Sequence, residues 1–147
     1  MWRIILFFFI ASLFFNCNGK DEVQFLQSPG SETFNLPFSE GVRVDDMIYL
    51  SGQVGNIPGT LELVKGGIGP ETRQTMENIK ATLERHGSSM DKVVKCLCML
   101  ADMSEWPAMN EEYVKYFPGP KPARSAFGSN GLALGARLEI ECWATID

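Results

Sequence analysis

PETRQTMENIKATLERHGSSMDKVVKCLCML, residues 70–100, changes its hydrophobic period once, at Gly87, and that change decides the fold class. Before the glycine, Thr72, Met76, Ile79 and Leu83 recur at helical spacing, so they share one face of an amphipathic helix. Pro70 in the first turn needs no backbone N–H partner, Glu71 complements the positive end of the helix dipole, and His86-Gly87 closes the helix. After the glycine, Val93 to Leu100 is a nearly continuous apolar run broken only by Lys95. It reads as a strand covered on both faces.

Towards the C-terminus, Ser104 and Pro107 mark a second helix, with Trp106, Met109, Tyr113 and Phe117 along one side and Pro118-Gly119-Pro120 stopping it. Those aromatics are expected in the core. Two closing strands follow, Ala123 to Phe127 and Arg137 to Ile146. The second places Leu138, Ile140, Cys142 and Ala144 on one face and Arg137, Glu139, Glu141 and Trp143 on the other. Towards the N-terminus, Val42-Arg43-Val44 and Met47-Ile48-Tyr49-Leu50 flank the polar pair Asp45-Asp46, a hairpin pattern that ends in Ser51-Gly52-Gln53. The element order predicts an α+β fold, a mixed β-sheet with two helices packed on one face. No further helix covers the opposite face, which is therefore expected to bury itself against sister copies of the chain.

The chain has 147 residues, 45% of them hydrophobic and 21% charged, which suits one domain with a real core. A net charge of -5, with the basic residues scattered singly, leaves no stripe to neutralise a phosphate backbone, so no nucleic-acid partner is expected. The N-terminus differs from the rest. Arg3 precedes an apolar run from Ile4 to Phe15 of about a dozen residues, short of the roughly 20 that span a bilayer, and a polar segment follows. Residues 1–17 read as a signal peptide, with Cys17 placed as a possible lipoprotein acylation site, residues 18–30 as a linker, and 31–147 as the domain. The protein is thus expected to be exported to the periplasm or cell envelope, with membrane attachment through a lipid on Cys17. Setting Cys17 aside leaves Cys96, Cys98 and Cys142, an odd remainder that reads as buried free thiols. His86, the only histidine, sits at a helix C-terminus and reads as a surface group near unpaired carbonyls.

Several ordered motifs carry more information than any one of them. Pro37-Phe38-Ser39-Glu40-Gly41-Val42-Arg43-Val44, Ile48-Tyr49-Leu50-Ser51-Gly52-Gln53, Gly66-Gly67-Ile68, Thr72-Arg73-Gln74, Glu77-Asn78-Ile79, Asn110, Tyr113, Pro122-Ala123-Arg124-Ser125 and Leu138-Glu139-Ile140-Glu141 follow one another in order. Together they resemble the landmarks of the RidA (YjgF-type) reactive-intermediate deaminase family from Pro37 to the C-terminus. The resemblance implies a chorismate-mutase-like homotrimer with sites in the clefts between subunits, no cofactor and no metal. It also implies hydrolysis of small 2-imino acids, of the 2-iminobutanoate and 2-iminopropanoate type, to 2-keto acids and ammonia.

The residue chemistry fits that activity. A 2-imino acid offers a carboxylate beside an electrophilic C=N carbon, so its site needs a planar cation and a proton-handling group. Arg124 is the candidate for the first and Glu139, by resemblance to the glutamate of the family's final strand, for the second; Glu141 shares its face. Ser51 and Gly52 resemble pocket-lining positions, Asn110 a donor across the subunit boundary, Gly67 part of a tight loop near the site, and Phe38 an aromatic wall. Phe38 stands where many members have Tyr, and Ala126 where many have Cys. Three other readings stay open: a structural Arg–Glu ion pair, a non-catalytic trimeric small-carboxylate-binding protein of the same fold, and the family's ribonuclease label, for which an acidic chain with one helix-end histidine offers little.

Overall fold

The computed structural model describes residues 22–146. The leader at 1–17, Cys17 and residues 18–21 of the linker lie outside the described residues. Seven strands form one sheet: β1 (Val23–Leu26), β2 (Gly41–Val44), β3 (Met47–Leu50), β4 (Gln53–Val54), β5 (Val93–Leu100), β6 (Ala123–Gly128) and β7 (Leu138–Thr145). Their order is β1-β2-β3-β7-β5-β6, with the short β4 pairing β7 beyond the end of β3. Only β5 and β6 run parallel, so the sheet is mixed as its element order predicts. Two helices, α1 (Ile68–Arg85) and α2 (Trp106–Tyr113), pack on one face of it.

The hairpin forms as read. Two residues join β2 to β3, and Asp45 takes a left-handed φ of 50°, which short polar side chains tolerate. Residues 23–26, expected in a linker, instead form β1, an edge strand registered on β2 from Val23 opposite Val44 to Leu26 opposite Gly41. The apolar residues Val23, Phe25 and Leu26 were the available signal, masked by the polar segment and the Gly-Pro end around them.

On α1, Thr72, Met76, Ile79 and Leu83 are fully or almost fully buried, and they meet Ile140, Cys142 and Ala144 of β7 in one core. Glu71 does more than complement the dipole. Its buried carboxylate accepts the backbone N–H groups of Arg137 at 2.6 Å and Leu138 at 3.3 Å, fixing the start of β7 to the first turn of α1. Met109 and Tyr113 of α2 and Phe117 beyond its end are core as expected, whereas Trp106, at the start of α2, is 40% exposed. β5 is covered on one face only: Cys96, Cys98 and Leu100 are buried, Leu97 and Met99 half-buried and Val94 exposed.

The cysteine expectation needs correcting. Cys96 and Cys142 are joined by a disulfide across β5 and β7, and only Cys98 is free and buried among the described residues. Two cysteines directly opposite on neighbouring antiparallel strands, with Cα atoms 4.2 Å apart, are within the reach of an S–S bond. An odd count said nothing of which residues the sheet would place opposite each other.

Glu40 ties the N-terminal segment to the end of α1. Its carboxylate accepts from the Ser28 hydroxyl, from Thr82 Oγ1 at 3.1 Å and from Arg85 Nη1 at 3.2 Å, and His86 Nε2 lies 3.2 Å away. Burial pushes this carboxyl up, but the hydrogen bonds from Ser28 and His86, with the Arg85 charge and Thr82, outweigh it and hold it below its usual 4.5. A depressed acid contributes stability above its unfolded pKa, lost as pH falls through the lower folded value. Glu40→Gln is therefore expected to cost about 1 to 2 kcal/mol at neutral pH, the worth of weakened charge-assisted bonds. Denaturant titrations should show that gap closing as acid protonates the wild-type carboxylate; a gap that persists in acid refutes the electrostatic account.

Candidate active site

β6 is the sheet's edge, and Arg124 sits on it opposite Cys96 of β5, so its side chain leaves the sheet on the helix side. There the guanidinium lies over the Tyr113 ring, 4.7 Å from its centroid. Asn110 and Tyr113 are one turn apart on α2, which puts both on the same helix face, and with Val114, Lys121, Pro122 and Arg124 they line an open cavity of about 420 Å³. Among the described residues no carboxylate pairs with Arg124, and none lines this cavity. A guanidinium beside a hollow, stacked on an aromatic face and lacking a counter-ion, has the chemistry to receive an anion.

Two buried polar atoms of that cavity's wall have no hydrogen-bond partner, Asn110 Oδ1 and the Tyr113 hydroxyl. Leaving such groups unpaired costs about 1 to 3 kcal/mol each, so a polar molecule in the cavity would gain by satisfying them. Tyr113 is only 3% exposed, and burial, then the neighbouring Cys98, push its hydroxyl well above its usual range, so it stays a neutral donor. Burial likewise raises the Cys98 thiol to about 11 despite the nearby Arg124, which makes it a poor nucleophile.

Glu139 belongs to a second group. It lies on β7 opposite Met99 of β5 and Val54 of β4, and it points to the open face of the sheet with Glu141 and Trp143. Its carboxylate rests against Gly52: a Cβ there would fall 1.9 Å from Glu139 Oε1. Gly52 continues from Ser51, whose hydroxyl donates to the Ser39 carbonyl at 2.7 Å, and Ser39 brings the half-exposed Phe38 to the same corner. The Asn78 side-chain amide on α1 donates to the Val54 and Asn56 carbonyls, both at 3.0 Å, and so pins β4 beside Glu139. Burial first, and the like charge of Glu141 second, raise the Glu139 carboxyl above its usual 4.5. That is the direction a proton-transfer group needs.

Within one chain the structure thus brings Arg124 together with Asn110, and Glu139 together with Gly52 and Ser51, but it keeps the two groups apart. β5 runs between β6 and β7, and the two side chains leave opposite faces of the sheet. That geometry rules out an intrachain Arg124–Glu139 ion pair. Gly67, with φ 89°, is the cap of α1 and accepts the Glu71 N–H at 3.2 Å; it does not line the Arg124 cavity. His86 is bound to Glu40 and is likewise absent from the cavity wall. Tyr113 and Lys121 are the site residues that sequence reasoning passed over. The i, i+3 spacing of Asn110 and Tyr113 was a usable signal; for Lys121 there was none.

Residues 31–146 match the sequence model of a family described as endoribonuclease L-PSP. The chain is 43% identical over 108 residues to the 2-iminobutanoate/2-iminopropanoate deaminase of Mus musculus, covering 74% of this chain and 80% of that protein. It is 39% identical over 110 residues to the chloroplastic Reactive Intermediate Deaminase A of Arabidopsis thaliana, covering 75% of this chain and only 59% of that longer protein. Among solved structures, RidA from the Antarctic bacterium Psychrobacter superimposes with a TM-score of 0.73 at 33% identity, over 86% of this chain and 98% of that one.

Proposed function

The chain belongs to the RidA (YjgF-type) family, and from that premise we propose that it hydrolyses small 2-imino acids to 2-keto acids and ammonia. The observation that carries this reading is Arg124, a guanidinium with no carboxylate partner among the described residues, set on Tyr113 at the mouth of a cavity with unsatisfied polar atoms. Its planar fork would hold the substrate carboxylate through two parallel bonds and fix the neighbouring C=N carbon. Glu139 takes a proton from water as the water oxygen adds to that carbon and the C=N electron pair moves to nitrogen. Glu139 passes that proton to the nitrogen, and the carbinolamine collapses: Glu139 takes the hydroxyl proton as the C=O bond forms, the carbon–nitrogen bond breaks, the nitrogen leaves as ammonia with this second proton, and a 2-keto acid is left.

Both groups can act on one molecule only if a second copy brings its open face to the β6 edge of the first. Such an edge-to-face contact is heterologous and closes as a ring; the resemblance makes the ring a trimer. The open face supports this, since Phe25 is 74% exposed and Tyr49 and Trp143 stack at 5.7 Å in front of solvent. We read residues 1–17 as an export leader, with Cys17 as its lipid-acceptor residue, and the Cys96–Cys142 disulfide supports an oxidising compartment such as the periplasm or cell envelope.

The test is ammonia or keto-acid release from freshly generated 2-iminopropanoate; no acceleration over buffer rejects the reading. The pH profile adds a second check. Because burial and Glu141 raise the Glu139 carboxyl above its usual 4.5, the acid limb of kcat/KM is expected to be displaced upward from that value and should vanish in Glu139→Gln. The Arg124 cavity of one copy holds the carboxylate clamp without the base, which favours as a second reading a trimeric protein that captures small carboxylates without turnover. Thermal stabilisation by 2-keto acids without hydrolysis would select it.

A further inference from the structure

The cavity that holds Arg124 contains a second cation whose role the deaminase reading leaves unassigned. Lys121 lines the same wall as Arg124, Asn110 and Tyr113, and among the described residues it has no ion-pair or hydrogen-bond partner. Other basic residues are placed differently: Lys115 pairs with Glu112 at 2.9 Å, Arg73 with the same carboxylate at 3.0 Å, and Arg137 with Glu105 at 2.6 Å. Glu112 and Glu105 are thus committed elsewhere, and within one copy the cavity wall carries two positive charges, no negative one, and two neutral polar atoms without partners. A small monocarboxylate held by Arg124 leaves Lys121 without a carboxylate of its own on that wall.

From this we propose that the site is built for 2-imino dicarboxylic acids of four or five carbons, the α-carboxylate on Arg124 and the distal carboxylate on Lys121. This rests on the deaminase reading and deepens it. A chain of that length fits within a cavity of about 420 Å³, and the flexible stem of a lysine lets one ammonium meet a distal carboxylate at either length. The reaction is unchanged in kind: water adds, the carbon–nitrogen bond breaks, and a 2-keto dicarboxylate and ammonia leave. Lys121 is then a specificity residue. Because its side chain is exposed, its contribution is that of a solvent-screened ion pair, about fivefold in affinity.

The experiment measures, with the full chain, kcat/KM for imines generated in place from aspartate or glutamate and from alanine, and in parallel the affinities of 2-oxoglutarate and 2-oxobutanoate. The wild type is expected to favour the dicarboxylate about fivefold in both measurements, Lys121→Met to lose that preference, Lys121→Arg to keep it, and Lys121→Glu to invert it. A wild-type preference for the monocarboxylate, or a ratio that Lys121→Met leaves unchanged, overturns the proposal while the deaminase reading stands. If neither imine is hydrolysed the deaminase reading fails, and the affinity ratio, which needs no turnover, alone decides whether Lys121 selects dicarboxylates.

Discussion

Arg124→Ala is expected to lower kcat/KM on small 2-imino acids by at least about a hundredfold while the protein still folds. The charge-assisted bonds that a guanidinium makes to a carboxylate are worth about 1.5 to 3 kcal/mol, which is roughly ten- to a hundredfold in binding. Losing the two-point hold also frees the C=N carbon to wander from the attacking water, and misplacement on the scale of an ångström costs about another hundredfold. The fold should survive because Arg124 is on an edge strand, has no ion pair to break, and gives up only its stacking on Tyr113, about 0.5 to 1 kcal/mol. Imine hydrolysis kinetics beside a thermal melt check this. Arg124→Lys should recover part of the binding and little of the alignment, since an ammonium lacks the fork. A variant as fast as the wild type would remove Arg124 from the reaction.

Gly52→Ala should have an effect of similar size by a different route. The added methyl would lie 1.9 Å from Glu139 Oε1, 2.7 Å from its Cδ and 2.9 Å from its Cγ, and every one of those atoms belongs to a side chain that can swing away. Gly52's own backbone lies outside the left-handed region, so alanine meets no backbone strain. The strands therefore stay paired and the carboxylate moves. About a hundredfold loss in kcat is expected, with KM nearly unchanged, because in the proposed assembly the carboxylate clamp is the Arg124 of another copy, which the added methyl does not touch. A rise in KM at constant kcat would place Gly52 in substrate binding and leave Glu139 without the proton-transfer role. Gly55 is a useful contrast, since a Cβ there would meet the Glu71 backbone oxygen at 2.7 Å and could not be accommodated by a side-chain swing.

Much of the fold was legible because its signal is local. The helix at 68–85 and the strand at 93–100 each show their period within a few turns or pleats, and β7 sorts Leu138, Ile140, Cys142 and Ala144 from Glu139, Glu141 and Trp143 by alternation alone. β1 was misread because four residues beside a Gly-Pro turn are too few to outweigh the polar segment around them. Of the candidate site, Arg124 and Asn110 share one cavity, while Ser51, Gly52 and Glu139 share one corner. Phe38 was legible only as an exposed aromatic at that corner, and Gly67 only as a left-handed cap.

By itself the sequence determined both helices and the strands with a clear period, the apolar side of β7, and which residue types are available for carboxylate binding and proton transfer. Tertiary structure alone decided which residues stand opposite one another. Strand order placed β5 between β6 and β7, turned Arg124 and Glu139 to opposite faces, and set Cys96 against Cys142. The physical reason is range: periodicity records the environment of each side chain along its own element, whereas register between strands tens of residues apart is set by the packing of the whole sheet, to which no local pattern is tied.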